Sequence, residues 1–233
     1  MNTMKQTLLS ELPALGLTLG GETVDKLCAF GAAVVEQNAV MNLTAITEPA
    51  AVARLHLLDS LTVLTAADLK GKSLIDVGCG AGFPGVPVAI AGEAVKVTLL
   101  DSLGKRMSWL ETILPQLGVQ ANCITARAEE AVADHREKFD YATSRAVARL
   151  NILLELTAPY VRIGGAVLAL KGAAARQELD EAKNAVGKLG LMVEDIKDFT
   201  IDGATHSIII LRKIAKTPPQ FPRRYAKIKQ SPL

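Results

Sequence analysis

The sequence predicts an α/β fold in which a mostly parallel sheet of seven strands carries helices on both faces. Three observations support this prediction. Short apolar runs alternate with helical patterns from residue 71 onward, which is typical of parallel strands joined by crossover helices. Four glycines lie between Gly78 and Gly85, directly after the first apolar run. The last two runs are separated only by DGAT, residues 202–205, which is too short for a parallel crossover and predicts an antiparallel last strand.

Residues 1–70 are predicted to form a helical extension that precedes the sheet. Apolar residues recur at helical spacing over residues 22–42. A second helix is expected from about Pro49 to Leu69, with Thr47 as its cap and Pro49 in its first turn.

Residues 71–214 are predicted to form the sheet domain. Its strands are expected at residues 73–78, 95–101, 121–127, 139–145, 165–171, 191–201 and 206–214. One helix containing Pro87 should follow the glycine turn, and further helices are expected over 102–118, 147–160 and 173–189. Because ligands bind beyond the carboxyl ends of the strands in such sheets, the glycine turn after the first strand marks the expected site.

Residues 215–233 are predicted to be a mobile basic tail. Seven basic residues and no acidic residue lie between Arg212 and Leu233, whereas the rest of the chain has 19 basic and 24 acidic residues. Several prolines argue against a helix there. We expect this tail to bind a polyanion without touching the site at the glycine turn; a tail that is merely solvated is the alternative.

Composition restricts the classes of protein that this chain can represent. Of its 233 residues, 49% are hydrophobic and 21% charged, which is typical of a globular protein. The longest apolar run is too short and too rich in Gly and Pro for a membrane helix, and the N-terminus has no signal-peptide pattern. Three cysteines without a C-x-x-C spacing indicate a reducing cytoplasm and no metal site.

Two classes of ligand suit the glycine turn. Gly80, Gly82 and Gly85 form G-x-G-x-x-G, and Asp101 ends the next strand, where an acid can bind ribose hydroxyls. This pattern fits a nicotinamide dinucleotide or S-adenosylmethionine. Asp76, two residues before the turn, would repel a pyrophosphate but can accept hydrogen bonds from an ammonium group. Prolines in and after the turn also remove amide donors that an anion needs, so S-adenosylmethionine is favoured.

Longer stretches of the sequence resemble the family of small-subunit ribosomal RNA guanine-N7 methyltransferases, also called glucose-inhibited division protein B. The matching stretches are NAVMNLT (38–44), HLLDSL (56–61), LIDVGCGAGFPGVPVAI (74–90), TLLDSLGKR (98–106), SRA (144–146), ALKG (169–172) and HSIIILRK (206–213). The resemblance implies a Rossmann-like class I methyltransferase fold and methyl transfer from S-adenosylmethionine to a guanine N7 of 16S ribosomal RNA.

The candidate cofactor residues combine the glycine turn with positions that the resemblance implies. They are Asp76, Gly78, Gly80, Gly82, Phe83, Asp101, Ser102, Ala128, Glu129 and Arg145. Guanine N7 has a lone pair and no proton, so no residue is required as a general base. The candidates for positioning the target base are Arg145, Lys171 and His56.

The candidate RNA-binding residues are basic side chains near the site and in the tail. They are Lys105, Arg106, Lys171, Arg223, Arg224, Lys227 and Lys229. The expected partner is 16S ribosomal RNA or the small ribosomal subunit, and the chain is expected to act as a cytoplasmic monomer. Two alternatives stay open at this point: a nicotinamide-dependent oxidoreductase and a non-catalytic RNA-binding protein that senses the cofactor.

Overall fold

A computed structural model describes residues 2–233 around one seven-stranded sheet. The strands are β1 (Ser73–Val77), β2 (Lys96–Asp101), β3 (Asn122–Thr125), β4 (Phe139–Arg145), β5 (Val161–Lys171), β6 (Leu191–Ile201) and β7 (Ala204–Lys213). Their order across the sheet is β3-β2-β1-β4-β5-β7-β6, and β7 runs antiparallel to both neighbours. The predicted α/β class, strand number and antiparallel last strand are therefore confirmed.

The helices lie before, between and after these strands. They are α1 (Asn2–Glu11), α2 (Gly21–Met41), α3 (Pro49–Val52), α4 (Asp59–Leu61), α5 (Val63–Ala66), α6 (Gly85–Ala91), α7 (Gly104–Gln116), α8 (Ala128–His135), α9 (Leu150–Thr157), α10 (Ala175–Glu181), α11 (Lys183–Lys188) and α12 (Tyr225–Gln230). Within residues 2–233, no helix is both long enough and apolar enough to cross a membrane.

The sheet separates two hydrophobic cores because side chains alternate between its faces along each strand. Leu74 and Leu168 pack into one core with helices α1–α7, whereas their neighbours Ile75 and Val167 pack into the other with helices α8–α11. Both faces are thus covered, as the near-continuous apolar strands require.

The second predicted helix of the extension is interrupted. Helices α3 and α4 flank a π-helical turn over Ala53–Leu58, and α5 ends at Ala66, before the predicted Leu69. The cap is Glu48 and not Thr47. The carboxylate of Glu48 accepts hydrogen bonds from the backbone amides of Ala50 and Ala51, over 3.0 and 2.7 Å. Helix α1 lies within the predicted helical extension but was not assigned individually; its buried residues are Met4, Thr7 and Leu8.

Two further helices differ from the prediction inside the sheet domain. The helix expected over 173–189 is divided at Ala182 into α10 and α11. Helix α8, between β3 and β4, was not predicted, because Ala131 and Val132 are its only buried positions and give no helical period.

The C-terminal segment, residues 215–233, is packed against the body, contrary to the prediction of a mobile tail without a helix. It contains α12, and Ile228 within that helix is fully buried. Phe221 is also buried, and Arg223 forms an ion pair with Glu155, whose side chain has no exposed surface. Pro218, Pro219 and Pro222 precede α12 and Pro232 follows it, so no proline lies within this helix.

Candidate cofactor and substrate site

A cavity of about 590 Å³ opens beyond the carboxyl ends of β1, β2 and β4. Small-molecule sites typically have volumes of roughly 300–1,000 Å³. Most of the predicted cofactor residues line this cavity: Gly78, Gly80, Phe83, Asp101, Ser102, Ala128, Glu129 and Arg145. The cavity therefore lies where the chain order reverses between β1 and β4, the usual ligand position in an open α/β sheet.

The glycine turn is fixed to β2 by the backbone and by Asp101. The amide of Gly78 donates to the carbonyl oxygen of Leu100 over 2.7 Å. The amides of Gly80 and Leu103 donate to Oδ2 and Oδ1 of Asp101, each over 2.9 Å. Because every carboxylate oxygen can accept more than one hydrogen bond, Asp101 retains acceptor capacity for ribose hydroxyls.

Asp76 is fully buried just before this turn, and one of its oxygens lacks a partner. Oδ2 accepts from the amide of Gly85 over 2.8 Å, whereas Oδ1 has no hydrogen-bond partner among residues 2–233. Burial raises the pKa of Asp76 to about 7, and the Gly85 amide and the charge of Arg145 offset only part of that rise. Such a carboxyl is suited to the ammonium group of S-adenosylmethionine, which would supply the missing donor and charge. Asp76 does not line the cavity. Its carboxyl would therefore act on the ammonium group through the backbone of the turn or through a bridging water.

Gly78 occupies a backbone conformation that side chains disfavour. Its φ is 75°, in the left-handed region. A Cβ at this position would lie 2.5 Å from Cγ2 of Val147, which also lines the cavity. Gly78 is therefore needed for the segment after β4 to approach the turn, in addition to any contact with a cofactor.

Gly82 does not line the cavity, contrary to the prediction. A Cβ at this glycine would lie 2.7 Å from Cγ2 of Val86, 3.0 Å from Cδ2 of Leu110 and 3.1 Å from Cζ of Phe30. Gly82 thus allows α2, α6 and α7 to pack around the turn. The G-x-G-x-x-G spacing alone does not distinguish a glycine that faces a ligand from one that faces the core.

Arg145, at the end of β4, is held by groups from two other parts of the chain, residues 55–59 and the glycine turn. Nη1 donates to the carbonyl oxygen of Leu55 over 2.8 Å and to Oδ2 of Asp59 over 2.9 Å, and Nη2 lies 3.2 Å from Nδ1 of His56. Its guanidinium carbon lies 5.1 Å from the centroid of the Phe83 ring, within cation–π range. These contacts fix the guanidinium at the edge of the cavity.

His56, in the π-helical turn, is neutral and has both ring nitrogens engaged. Burial and the nearby charge of Arg145 lower its pKa to about 4. Because an N–H of Arg145 points at Nδ1, that nitrogen accepts, and the ring proton is on Nε2. Nε2 then donates to Oγ1 of Thr44 over 2.8 Å. Thr44 was not predicted as a site residue, although it belongs to the stretch NAVMNLT.

Asp59 and His206 complete this polar network. Nδ1 of His206 lies 2.8 Å from Oδ1 of Asp59. Burial acts to raise the pKa of Asp59, but hydrogen bonds from His206 and Arg145 hold that pKa below its usual value. Asp59 in turn raises the pKa of His206. Neither residue was among the predicted site residues; the stretches HLLDSL and HSIIILRK, which contain them, were the available signal.

Replacing His206 with Asn is expected to lower the free energy of unfolding more at pH 6 than at pH 9. The pKa of His206 is higher in the folded protein than the unfolded value of about 6.5. Its stabilising charge interaction with Asp59 is therefore fully present below the unfolded pKa and is lost as pH rises through the folded pKa, while Arg145 opposes it throughout. Urea unfolding of both proteins at the two pH values measures the difference, and equal losses would contradict this role.

Some of the candidate RNA-binding residues are accessible, and some are not. Those with exposed side chains are Lys105, Arg224, Lys227 and Lys229. Arg106 is partly buried and lines the cofactor cavity.

Lys171 and Arg223 are bound to carboxylates of the protein, which contradicts the prediction that their charges are available to phosphate. Nζ of Lys171 lies 2.8 Å from Oε2 of Glu178, and the lysine side chain is only 8% exposed. Arg223 donates from Nε and Nη2 to the two oxygens of Glu155, over 2.8 and 2.6 Å.

A second cavity, of about 540 Å³, adjoins the first. Both are lined by His56, Arg145, Ala146 and Val147. Ala146 has a φ of 57°, a strained conformation for a residue with a side chain. The second cavity is also lined by Asp59, Lys171 and His206, so the polar network forms the boundary between the two spaces.

The cysteines lie in positions that suit packing. Burial strongly raises the pKa of Cys79, and its sulfur lies 3.8 Å from that of Met107. Burial also raises the pKa of Cys28 and that of Cys123, the latter to about 11. Across residues 2–233, no three His, Cys, Asp or Glu side chains are grouped so as to hold a metal ion.

The chain is similar over most of its length to known proteins of one family. A family model described as GidB, rRNA small subunit methyltransferase G, matches residues 23–208. Ribosomal RNA small subunit methyltransferase G of Desulfitobacterium hafniense (strain Y51) is 42% identical over 235 residues, with 98% of each chain covered. Its counterpart in Clostridium perfringens (strain 13 / Type A) is 40% identical, with 94% of this chain and 95% of the relative covered.

Solved structures share the fold at low sequence identity. M. jannaschii TYW2 in complex with AdoMet has a TM-score of 0.56 and 13% identity, covering 68% of this chain and 76% of that one. Geranyl diphosphate methyltransferase in complex with SAM has a TM-score of 0.51 and 14% identity, covering 68% and 83%. The architecture is therefore that of the Rossmann-like class I methyltransferases.

Proposed function

This chain belongs to the rRNA small subunit methyltransferase G family, and we propose that it methylates N7 of a guanine in 16S ribosomal RNA. The enzyme is an S-adenosylmethionine-dependent methyltransferase, so a nicotinamide-dependent oxidoreductase is no longer a candidate. The target atom, the way in which the target base binds, and the roles of individual residues form the proposal.

The cavity beside the glycine turn supports binding of the cofactor along its whole length. Asp101 and Ser102 would hold the ribose, and Ala128 with Glu129 would border the adenine. The buried, half-satisfied carboxyl of Asp76 suits the ammonium group at the other end. S-adenosylmethionine supplies a methyl group on a positively charged sulfur, from which an aligned lone pair can displace it.

The observation that carries the proposed substrate site is the junction of the two cavities at the end of β4. A base in the second cavity would meet the cofactor cavity only across His56, Arg145, Ala146 and Val147. Three of the five N–H groups of Arg145 bind Leu55, Asp59 and His56, and the other two have no partner among residues 2–233. These N–H groups can donate to the O6 acceptor of guanine, which is adjacent to N7 on the same edge.

Transfer to N7 requires alignment and charge tolerance, and it requires no proton removal. The surroundings of the junction are consistent with this requirement. His56 is neutral and has no free ring nitrogen, and Arg145 is paired with the carboxylate of Asp59. Pairing with Asp59 reduces the repulsion that the guanidinium would otherwise exert on the positive charge developing on the base.

Chemical mapping of the modified nucleotide tests the proposal. Purified protein is incubated with S-adenosylmethionine and either naked 16S RNA or small subunits from a strain that lacks the gene. Borohydride reduction followed by aniline cleavage then identifies any 7-methylguanine. Methylation at another atom would contradict the N7 assignment, and an absence of single-turnover transfer to both substrates would favour a non-catalytic RNA-binding protein.

Single-turnover methyl transfer is expected to be nearly independent of pH between roughly 6 and 8.5, because no proton leaves N7 in the reaction. The measurement uses saturating cofactor and RNA, since the titration of Asp76 and His206 can affect binding in this range. A steep rise that follows one ionisation at saturation would indicate a different target atom or a catalytic acid or base.

A further inference from the structure

The C-terminal segment forms part of the wall of the cofactor cavity. Tyr225, the first residue of α12, lines that cavity together with Arg127, Ala128 and Glu129. The guanidinium carbon of Arg127 lies 6.0 Å from the centroid of the Tyr225 ring. The tyrosine therefore lines the cavity together with the residues that would border the adenine.

An ion pair between Arg223 and a buried glutamate anchors this segment. Glu155 in α9 is completely buried, and Arg223 binds it through its backbone amide, Nε and Nη2 at distances of 2.6–2.8 Å. Because an unpaired buried carboxylate is very unfavourable, Glu155 fixes the position of Arg223. Because Tyr225 follows Arg223 by only two residues, this ion pair also holds Tyr225 at the cofactor cavity.

Two further contacts hold the segment on either side of Arg223. Before it, the carbonyl oxygen of Phe221 accepts from Nη2 of Arg136 over 2.6 Å. After it, Ile228 is completely buried. The segment is thus held at Phe221, Arg223 and Ile228. Helix α12 cannot leave the cavity without exposing these contacts to water.

The segment also carries basic side chains that are accessible to solvent. Arg224, Lys227 and Lys229 are exposed, and none of them forms an ion pair with a residue in the range 2–233. Arg224 and Lys229 line a surface groove that also contains Arg127, Tyr225 and the acidic residues Glu129 and Glu130. Residues 224–229 therefore present an aromatic ring to the cofactor cavity and three unpaired cations to solvent.

We propose that the C-terminal segment couples cofactor binding to RNA binding: Tyr225 packs against the adenine of the cofactor, and Arg224, Lys227 and Lys229 bind RNA phosphates. This inference rests on the proposed function, because it takes the cavity as the cofactor site and RNA as the substrate. It replaces the expectation that the tail serves RNA alone. Since both ligands would contact side chains of one segment and further order it, each is expected to tighten binding of the other by the same factor.

Calorimetric titration with S-adenosylhomocysteine, in the absence of RNA, tests the role of Tyr225. Tyr225→Ala is expected to weaken binding about tenfold, as the loss of one aromatic–base stacking contact would. Tyr225→Phe keeps the ring and should bind within about twofold of the wild type. Gln230→Ala, at an exposed position of the same helix, is the matched control and should bind like the wild type.

The outcomes separate this inference from the function on which it rests. If the wild type itself does not bind S-adenosylhomocysteine, the assignment of the cavity fails. If the wild type binds and Tyr225→Ala binds equally well, only the role of Tyr225 is overturned. Thermal melting of the variants identifies any general loss of folding, and Tyr225→Phe preserves the test in that case.

The role of the three cations is tested with a transcript of small-subunit RNA. The variant with Arg224, Lys227 and Lys229 all replaced by Gln should flatten the slope of log affinity against log salt by about 2, because each phosphate contact contributes about 0.7 for single-stranded RNA. The transcript should tighten S-adenosylhomocysteine binding severalfold in the wild type and less in this variant. An unchanged slope, or equal tightening in both proteins, overturns the coupling.

Discussion

Replacing Arg145 with Ala is expected to reduce kcat/KM for ribosomal RNA by at least about 100-fold, or ~2.7 kcal/mol of transition-state stabilisation. The guanidinium lies at the junction of the two cavities and contacts Asp59 and His56 there. Its removal would take away the donors that align the base and would leave Asp59 with His206 as its remaining charged partner. We therefore also expect a loss of roughly 2 kcal/mol in the free energy of unfolding.

The controls for this prediction separate alignment from stability. Arg145→Lys keeps the charge but not the forked geometry, so it should retain the fold better than the activity. Arg162→Ala is the matched control, because Arg162 is also an arginine next to the sheet but is half exposed and paired with Asp140 at the amino end of the strands. Less than threefold loss of kcat/KM in a folded Arg145→Ala protein would remove Arg145 from the substrate site.

Replacing Gly78 with Ala is expected to weaken binding of S-adenosylhomocysteine at least tenfold, which corresponds to about 1.4 kcal/mol. The added Cβ would be strained at a φ of 75° and would lie 2.5 Å from Cγ2 of Val147. Because Val147 lines both cavities, either the turn or the segment after β4 must move. Calorimetry with S-adenosylhomocysteine measures the affinity.

Two comparisons isolate the cause of this effect. Gly118 has a φ of 63°, and a Cβ there would have no neighbour within 4 Å, so Gly118→Ala introduces the strain without a clash and away from the cavity. It should lower stability and leave cofactor affinity unchanged. Adding Val147→Ala to Gly78→Ala removes the clashing methyl group and should restore part of the affinity. Wild-type affinity in Gly78→Ala alone would remove Gly78 from the site.

The strands and the position of the site could be predicted because their signals are local. An apolar run, a glycine turn and the acid at the end of the next strand are read within about 25 residues, and the carboxyl ends of parallel strands must meet at one edge. The pattern was less informative where a helix was short or irregular. Neither α8 nor the π-helical turn around His56 has a period long enough to recognise.

Charged residues were predicted less well, because their partners are far away in the chain. Lys171 and Arg223 were expected to face RNA, but each is paired with a carboxylate of this protein. Arg223 and Glu155 are 68 positions apart. Net charge and composition describe what a segment carries, and they do not tell which of its charges are already neutralised.

The sequence by itself determined the α/β class and the glycine turn with Asp76 and Asp101, and it favoured S-adenosylmethionine over a dinucleotide, since each depends on residue types at fixed short spacings. Only the tertiary structure decided that Arg145 binds Asp59, 86 residues before it, and that Asp59 in turn binds His206, 61 residues after Arg145. It also decided that Tyr225 reaches the cofactor cavity. The physical reason is that burial of a charge requires a partner, and folding alone determines which distant side chain is near enough to serve.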